Sequence, residues 1–156
     1  MGHDISAYKI KVNVGEAVVK ADMDKEVAYL RFAAWNTVGQ YLFYESLDAQ
    51  HFNSGCSGDG SEEMYTVEQI KTAKEKLKYI SSDDSIKGDV KNYSLEDKHN
   101  FFKGLMKMFG GNPAEMMSKE NEDRIKSEVK SELERINEFY DKIIDCGEEE
   151  VCISFY

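Results

Sequence analysis

Apolar and polar side chains alternate at both ends of the chain. Residues 8–14 place an apolar side chain at every second position, with a Lys or Asn between them. Period two with one polar face is typical of a half-buried strand. Gly15 supplies a turn, and 17–21 continue the alternation as a return strand until the charged stretch 22–25 breaks it. The last residues, 151–156, alternate again and predict a strand that ends the chain.

A further segment, 27–33, has the sequence VAYLRFA and is apolar at nearly every position. Such a run is typical of a central strand that is covered on at least one face. The terminal segment 151–156 needs a partner, because an unpaired apolar strand invites aggregation. We therefore expect the N-terminal strands and the C-terminal strand to form one small antiparallel sheet.

Apolar spacings of three and four residues dominate the remainder of the chain. One predicted helix covers about 36–49 and is capped by either of its first two residues. A second begins at Thr66, which fits a capping box with Gln69, and a third opens at Ser94. A long last helix spans 113–145, roughly 50 Å at the usual rise per residue.

These elements predict an α+β fold in which the small antiparallel sheet packs against about four helices. The chain has 156 residues, which suits a single domain, 1–156, with a helical insertion at about 81–145. Its apolar content of 41% is that of a folded globular protein rather than a disordered one.

The chain is strongly acidic, with 30 Asp and Glu against 20 Lys and Arg and a net charge of −10. Nucleic-acid affinity rests on basic residues that neutralise phosphates, so binding to DNA or RNA is not expected. Adhesion to an anionic membrane surface is not expected on the same ground. An acidic face can instead dock onto a basic protein partner, or imitate nucleic acid towards one.

The cellular setting follows from what the sequence lacks. No stretch approaches the ~18 apolar residues of a membrane span, and the N-terminus has no apolar signal-peptide core. We therefore expect a cytoplasmic protein. The three cysteines, Cys56, Cys146 and Cys152, are odd in number, so free thiols are expected rather than a disulfide framework.

The segment 51–65, HFNSGCSGDGSEEMY, is the most unusual stretch of the sequence. Gly55, Gly58 and Gly60 allow backbone conformations in which N–H groups converge on an anion. Neither the phosphate-loop pattern GxxxxGK[ST] nor the dinucleotide pattern GxGxxG is present, and the acids of the segment would repel phosphate. The alternative is a pliable connection in which small residues join two helices.

Metal and thiol chemistry in this segment is weakly supported. Its oxygen-bearing side chains suit calcium, but the EF-hand spacing is absent. Zinc requires three or four ligands, and the three histidines and Cys56 are scattered without ligand spacing. Cys56 and His51 could form a thiolate nucleophile and its base, although five residues within a loop do not establish hydrogen-bond reach. No metal or cofactor is therefore predicted.

Five short sequences occur together in the chain: GHDI at 2–5, EVAYLR at 26–31, LDAQ at 47–50, SGCSGDG at 54–60 and EQIKTAKEKL at 68–77. Together they resemble a group of small uncharacterised proteins found in bacteria, archaea and their viruses. The similarity extends to the C-terminal strand, whereas the region between is longer or unrelated. The resemblance implies a shared small α+β core and an origin in mobile elements, but no reaction.

The resemblance also suggests where a ligand would bind. If GHDI and the glycine-rich loop occur as a pair, the start of the first strand and the loop lie beside each other at one end of the sheet. We take that corner as the candidate ligand site and assign no catalytic residue to it. The candidate residues are His3, Asp4, Asp48, His51, Gly55, Cys56, Gly58 and Asp59.

Three functions are compatible with these features. The leading hypothesis is a non-enzymatic interaction or regulatory protein, an accessory factor directed at a host or phage component. It would bind a protein partner through its acidic helical surface or through the loop. The rival is a small enzyme or ligand-binding domain that uses the corner site. The third hypothesis is acidic mimicry of nucleic acid.

Overall fold

The computed structural model describes residues 2–12, 19–81 and 119–156. Four strands form one sheet in these ranges: β1 (Gly2–Val12), β2 (Val19–Ala33), β3 (Glu62–Thr66) and β4 (Glu150–Phe155). Their order across the sheet is β2-β1-β4-β3, and every neighbouring pair is antiparallel.

The α-helices of the described ranges are α1 (Thr37–Leu47), α2 (Val67–Ile80) and α3 (Lys119–Ile144), with a short 3-10 helix at Gln50–Phe52. Their buried side chains join one face of the sheet in a single core. This confirms the predicted α+β fold with a small antiparallel sheet and a long last helix. The helix predicted to open at Ser94, the start of the last helix and the turn at Gly15 lie outside the described residues. Among the described helices, none combines the length and the apolar character that a membrane crossing requires.

The C-terminal strand lies inside the sheet rather than at its edge. Ile5 of β1 is opposite Leu30 of β2 on one side and Phe155 of β4 on the other. β4 in turn pairs with β3 along the full length of β3, from Glu150 opposite Thr66 to Ser154 opposite Glu62. The predicted pairing of the chain ends is therefore confirmed, and β4 carries hydrogen bonds on both of its sides.

The N-terminal strands are longer than the alternation predicted. β1 begins at Gly2 rather than at residue 8, and β2 continues through 22–25, where we expected a break. Register shifts on either side of Tyr8 absorb the irregularity, so pairing resumes at Ile10 opposite Ala21. Residues 22–25 have no opposite residue on β1, so this part of β2 bulges away from the pairing. Met23 and its neighbours up to residue 26 are exposed, and their charges stay in water.

β3 is a strand that the sequence analysis missed. Residues 51–65 were expected to lack regular structure, yet they contain most of the 3-10 helix and most of β3. Only Tyr65 of the strand is buried, and Glu62 and Glu63 are exposed. The strand therefore has too weak an alternation to be recognised, and it forms because β4 offers a partner.

The core is built around an aromatic cluster on α1. Phe43 is fully buried, with its ring centroid 5.9 Å from that of Phe32 on β2 and 5.6 Å from that of Phe139 on α3. Tyr140 stacks on the same ring at 5.9 Å, and its hydroxyl lies 2.7 Å from that of Ser46. Such aromatic contacts add to the burial energy, so α1 joins the sheet to α3.

Candidate functional site

His3 of β1 is buried beneath the glycine-rich loop. Its Nε2 lies 3.0 Å from the carbonyl oxygen of Gly55, and its Nδ1 lies 3.1 Å from the hydroxyl of Tyr44. A carbonyl can only accept, so Nε2 carries the proton and Nδ1 accepts from Tyr44 in the neutral ring. Burial, with the nearby charge of Asp59, raises the pKa of Tyr44 and keeps that hydroxyl a donor. Both imidazole nitrogens are thus engaged within the protein.

The rest of the loop is tied to the end of β4. Gly58 is buried against Phe155, where an added Cβ would come within 2.5 Å of the Phe155 carbonyl carbon. The amide of Gly60 donates to the Phe155 carbonyl at 2.8 Å, and the amide of Asp59 donates to the carbonyl of Phe52 at 3.0 Å. Gly60 has φ +81°, which L side chains rarely adopt. The loop is therefore fixed by backbone bonds to the sheet.

The remaining loop candidates are exposed and do not converge on one point. Asp48 ends α1 in the left-handed conformation, with φ 59°. The ring of His51 contacts that of Phe52 at 3.8 Å, and Cys56 points into solvent as a free thiol. Within the described residues, no group of three or more His, Cys, Asp or Glu side chains is arranged to hold a metal.

Asp4 lies on the opposite face of the sheet from His3. Its carboxylate accepts from the hydroxyl of Tyr29 at 2.5 Å and lies 3.6 Å from Nε of Arg31. The hydrogen bond to Asp4 raises the pKa of Tyr29. The corner predicted from the sequence is therefore divided, with His3 and the loop on the helix side and Asp4 on the other.

The sheet surface that carries Asp4 has no described helix packed on it. Tyr8 and Cys152 are buried there, yet neither belongs to the core that the helices form. Burial and the charges of Glu62 and Glu63 raise the pKa of the Cys152 thiol to about 11. We call this surface the open face, a name that refers only to the described helices. Its residues include Asp4, Ser6, Tyr8, Glu26, Tyr29, Arg31, Glu62, Met64, Cys152, Ser154 and Tyr156.

A row of hydroxyl–carboxylate hydrogen bonds crosses the open face. Ser6 and Ser154 are opposite each other on β1 and β4. The hydroxyl of Ser6 donates to Glu26 at 2.8 Å, and that of Ser154 donates to Glu62 at 3.2 Å. The row therefore runs from carboxylate to serine to serine to carboxylate, and we call it the serine row.

The tryptophan of the chain lies on the turn that follows β2. Trp35 is 84% exposed. The turn around it is held by an Asn36 amide bond to the Ala33 carbonyl at 2.8 Å and by the Gln40 side chain at 2.9 Å from the same carbonyl. The Asn36 side chain also donates to Glu132 of α3 at 2.9 Å. A large aromatic ring is thus presented to solvent on a fixed backbone.

A groove of about 950 Å³ lies on the helix side, between the β1–β2 hairpin and α3. Its lysines are paired: Lys9 lies 3.2 Å from Glu148, and Lys142 lies 3.0 Å from Glu138. Charges of both signs alternate along it, so the groove presents no uniform potential to a charged ligand.

Comparison of the chain with protein-family models, with curated proteins and with solved structures finds no match. The resemblance drawn from the five short sequences therefore stays a prediction.

Sequence reasoning missed the open face and Trp35. The polar alternation of the open face starts at Asp4, before the segment 8–14 whose alternation predicted a strand, and continues with Ser6. A Trp directly before a capping Asn was visible in the sequence, but its exposure depends on the path of the turn. Only the pairing of the four strands brings these residues onto one surface.

Proposed function

We propose that this protein is a non-enzymatic interaction module that binds a protein partner through Trp35 and the exposed residues of the open face that lie on β2. The observation that supports it is the 84% exposure of Trp35, the one tryptophan of the sequence, on a hydrogen-bonded turn. Trp, Tyr and Arg supply most of the binding energy in protein interfaces. Tyr29 and Arg31 lie on β2, the strand that ends two residues before Trp35, and Tyr29 is 49% exposed.

The rigidity of the turn strengthens this proposal. Binding costs free energy when side chains and loops must be ordered, and a pre-ordered anchor avoids most of that cost. The backbone of Trp35 is already fixed by the bonds of Asn36 and Gln40. An exposed aromatic ring on a mobile loop would carry less weight.

The two other hypotheses have weaker support. An enzyme or ligand-binding site at the corner would need His3 as a base or ligand, and both of its nitrogens are engaged. Nucleic-acid mimicry needs a row of unpaired acids along one face, whereas on the helices Glu68, Asp141 and Glu138 each pair with a lysine. The proposed binding partner is therefore a protein. We further propose a cytoplasmic setting, which the free thiols support.

Affinity capture tests the proposal. Tagged protein is incubated with lysate of the source organism, and the retained proteins are compared with those of a Trp35→Ala variant. Loss of an anchor residue costs about 2 kcal/mol or more, so Trp35→Ala should weaken capture by roughly 30-fold. Because Trp35 is exposed, the stability of the variant should change by no more than about 0.5 kcal/mol.

The matched control is Met23→Ala, which removes another exposed apolar side chain from the far part of β2. It should leave capture unchanged. Equal retention by wild type and Trp35→Ala, or no retained partner at low salt, would contradict the proposal. The fluorescence of Trp35 gives a second measurement, since burial by a partner should shift its emission to shorter wavelength.

A further inference from the structure

The turn that carries Trp35 is connected to α3 at both of its ends. On the α1 side, Nδ2 of Asn36 donates to Oε1 of Glu132 at 2.9 Å. On the β2 side, the guanidinium of Arg135 donates to the carbonyl of Arg31. Glu132 and Arg135 are three residues apart and so lie on one side of α3, from which they contact the chain before and after Trp35.

Glu132 and Arg135 also bind each other. Nη1 of Arg135 lies 3.0 Å from Oε2 and 3.2 Å from Oε1 of Glu132. The Glu132 side chain is only 12% exposed, and the Arg135 guanidinium lies over the Phe32 ring, 5.5 Å from its centroid. A charge that is shielded from water is costly to leave without its partner, so each of the two side chains holds the other in one position.

The close approach of α3 to the start of α1 depends on Gly39. A Cβ at this position would lie 2.5 Å from Oε2 of Glu132 and 2.6 Å from the ring of Phe32. The amide of Gly39 donates to Oδ1 of Asn36 at 3.1 Å, which is the N-cap bond of α1. Asn36 therefore uses its side-chain oxygen to cap α1 and its side-chain nitrogen to bind α3.

This contact concerns how the binding surface is kept in place, and the inference rests on the proposed function. We infer that Glu132 and Arg135 are positioning residues for partner binding, which act by fixing the turn that presents Trp35. An anchor that is already ordered binds more tightly, because less conformational entropy is lost when the complex forms. Loss of the contact with α3 should leave Trp35 exposed on a mobile turn and weaken binding by roughly 3- to 10-fold.

Variants of Asn36 separate this contact from helix capping. Asn36→Asp retains an oxygen that caps α1, since Asp and Asn are equally good N-caps, but it places a second carboxylate against Glu132. Asn36→Ser also retains a capping oxygen and introduces no charge, but it lacks the nitrogen that donates to Glu132. Both variants should lower the order parameter of the Trp35 backbone amide in NMR relaxation from about 0.85, typical of rigid backbone, towards about 0.6. The backbone bond of residue 36 to Ala33 remains in both variants, so a loss of order reports the contact with α3.

Exchange of the two side-chain groups should restore the turn. In the double variant Asn36→Asp, Glu132→Gln the amide lies on α3 and the carboxylate lies on the turn, so a hydrogen bond of reversed direction forms and Arg135 keeps a negative partner. The order parameter at Trp35 should return to the wild-type value, and capture of the partner should recover with it. Glu138→Gln is the control, because it removes a carboxylate from an exposed ion pair on the same helix. It should change neither the order parameter nor capture.

A contact with a structural role alone would lower the stability of the Asn36 variants without changing the order parameter at Trp35 or the capture of the partner. That result would overturn the inference, as would a double variant as mobile as Asn36→Asp. If Trp35 keeps its order in both Asn36 variants while Trp35→Ala loses capture, the inference fails and the proposed function stands. If the order parameters follow the prediction but wild type and Trp35→Ala retain the same proteins, the proposed function fails, and the role of α3 in binding fails with it.

Discussion

At the scale of single residues, His3 was a candidate ligand-binding residue, and in the structure it is a buried residue with a structural role. Its two hydrogen bonds connect β1 to α1 through Tyr44 and to the loop through Gly55. Its ring also meets that of Tyr44 edge to face, with centroids 5.6 Å apart. A histidine on the first strand could be identified from the sequence, but its partners come from residues more than 40 positions away.

We expect His3→Ala to lower the free energy of unfolding by about 2–4 kcal/mol. The substitution leaves a buried hydroxyl and a carbonyl without a partner and opens a cavity. Urea denaturation measures the loss. His51→Ala is the control, because His51 is exposed and should change stability by less than about 0.5 kcal/mol. Equal stability of His3→Ala and wild type would show that the histidine does not tie the loop.

The buried thiol of Cys152 predicts how the stability of the protein depends on pH. Its thiol pKa is raised to about 11 from the ordinary 9.0, chiefly by burial. The folded protein therefore keeps a proton that the unfolded chain loses above about pH 9, so stability falls as the pH rises towards 11. Wild type should lose about 1–2 kcal/mol more than Cys152→Ala between about pH 8 and pH 10.5, as measured by denaturation at each pH.

Cys56→Ala controls for the other groups that titrate in this range, since Cys56 is exposed. It should follow the wild-type pH profile. A Cys152→Ala profile parallel to that of wild type would contradict the burial of a neutral thiol on the open face.

At the scale of elements, some helices and strands follow from the local sequence pattern, whereas others form only because a distant strand pairs with them. The capping box at Thr66 and the strand at the C-terminus were both predicted, because each depends on residues that are close in sequence. β3 was missed because its regularity comes from β4, which is more than 80 residues away in the chain. The continuous β2 was missed for the same reason, since β1 pairs with β2 on both sides of the charged stretch 22–25.

The features of the candidate site also fall into those that the sequence predicted and those that depend on strand pairing. The proximity of His3 to the glycine-rich loop was expected, and the bond to Gly55 realises it. Because neighbouring side chains of a strand point to opposite faces, Asp4 lies on the face opposite His3. This placement can be deduced once β1 is known to start at Gly2. The serine row required the register of β1 against β4, which no local pattern contains.

The central position of β4 leads to a prediction about truncation. Removal of residues 151–156 deletes the fully buried Val151, Ile153 and Phe155 and leaves β1 and β3 without a shared partner. Each lost apolar side chain costs about 2–4 kcal/mol, which together exceeds the stability of an ordinary domain. The truncated chain should therefore lack a cooperative thermal transition in circular dichroism.

The control for the truncation is Tyr156→Ala. Its side chain is 46% exposed, and the backbone bonds between Asp4 and residue 156 do not depend on it. This variant should unfold cooperatively with a loss below about 1 kcal/mol. A truncated chain that melts like wild type would show that the last strand is dispensable for the sheet.

At the scale of the whole molecule, the two faces of the sheet differ in composition. The helix side contains the aromatic core and the tied loop, and it accounts for stability. The open face contains hydroxyls, carboxylates and half-exposed tyrosines, and the turn with Trp35 continues from its edge strand. The acidic composition of the chain was evident from the sequence, but the position of two of its glutamates at the ends of the serine row was not.

Photo-crosslinking from the open face tests the central claim most directly. A benzoyl-phenylalanine in place of Tyr29 should form a covalent adduct with the captured partner on irradiation, and the same group in place of Lys78 on α2 should not. Both positions are exposed, so the comparison isolates the face that the partner contacts. Adducts from position 29 alone are the predicted result. Adducts from position 78 with none from position 29 would show that the partner binds the helices, and would contradict the assignment of the open face.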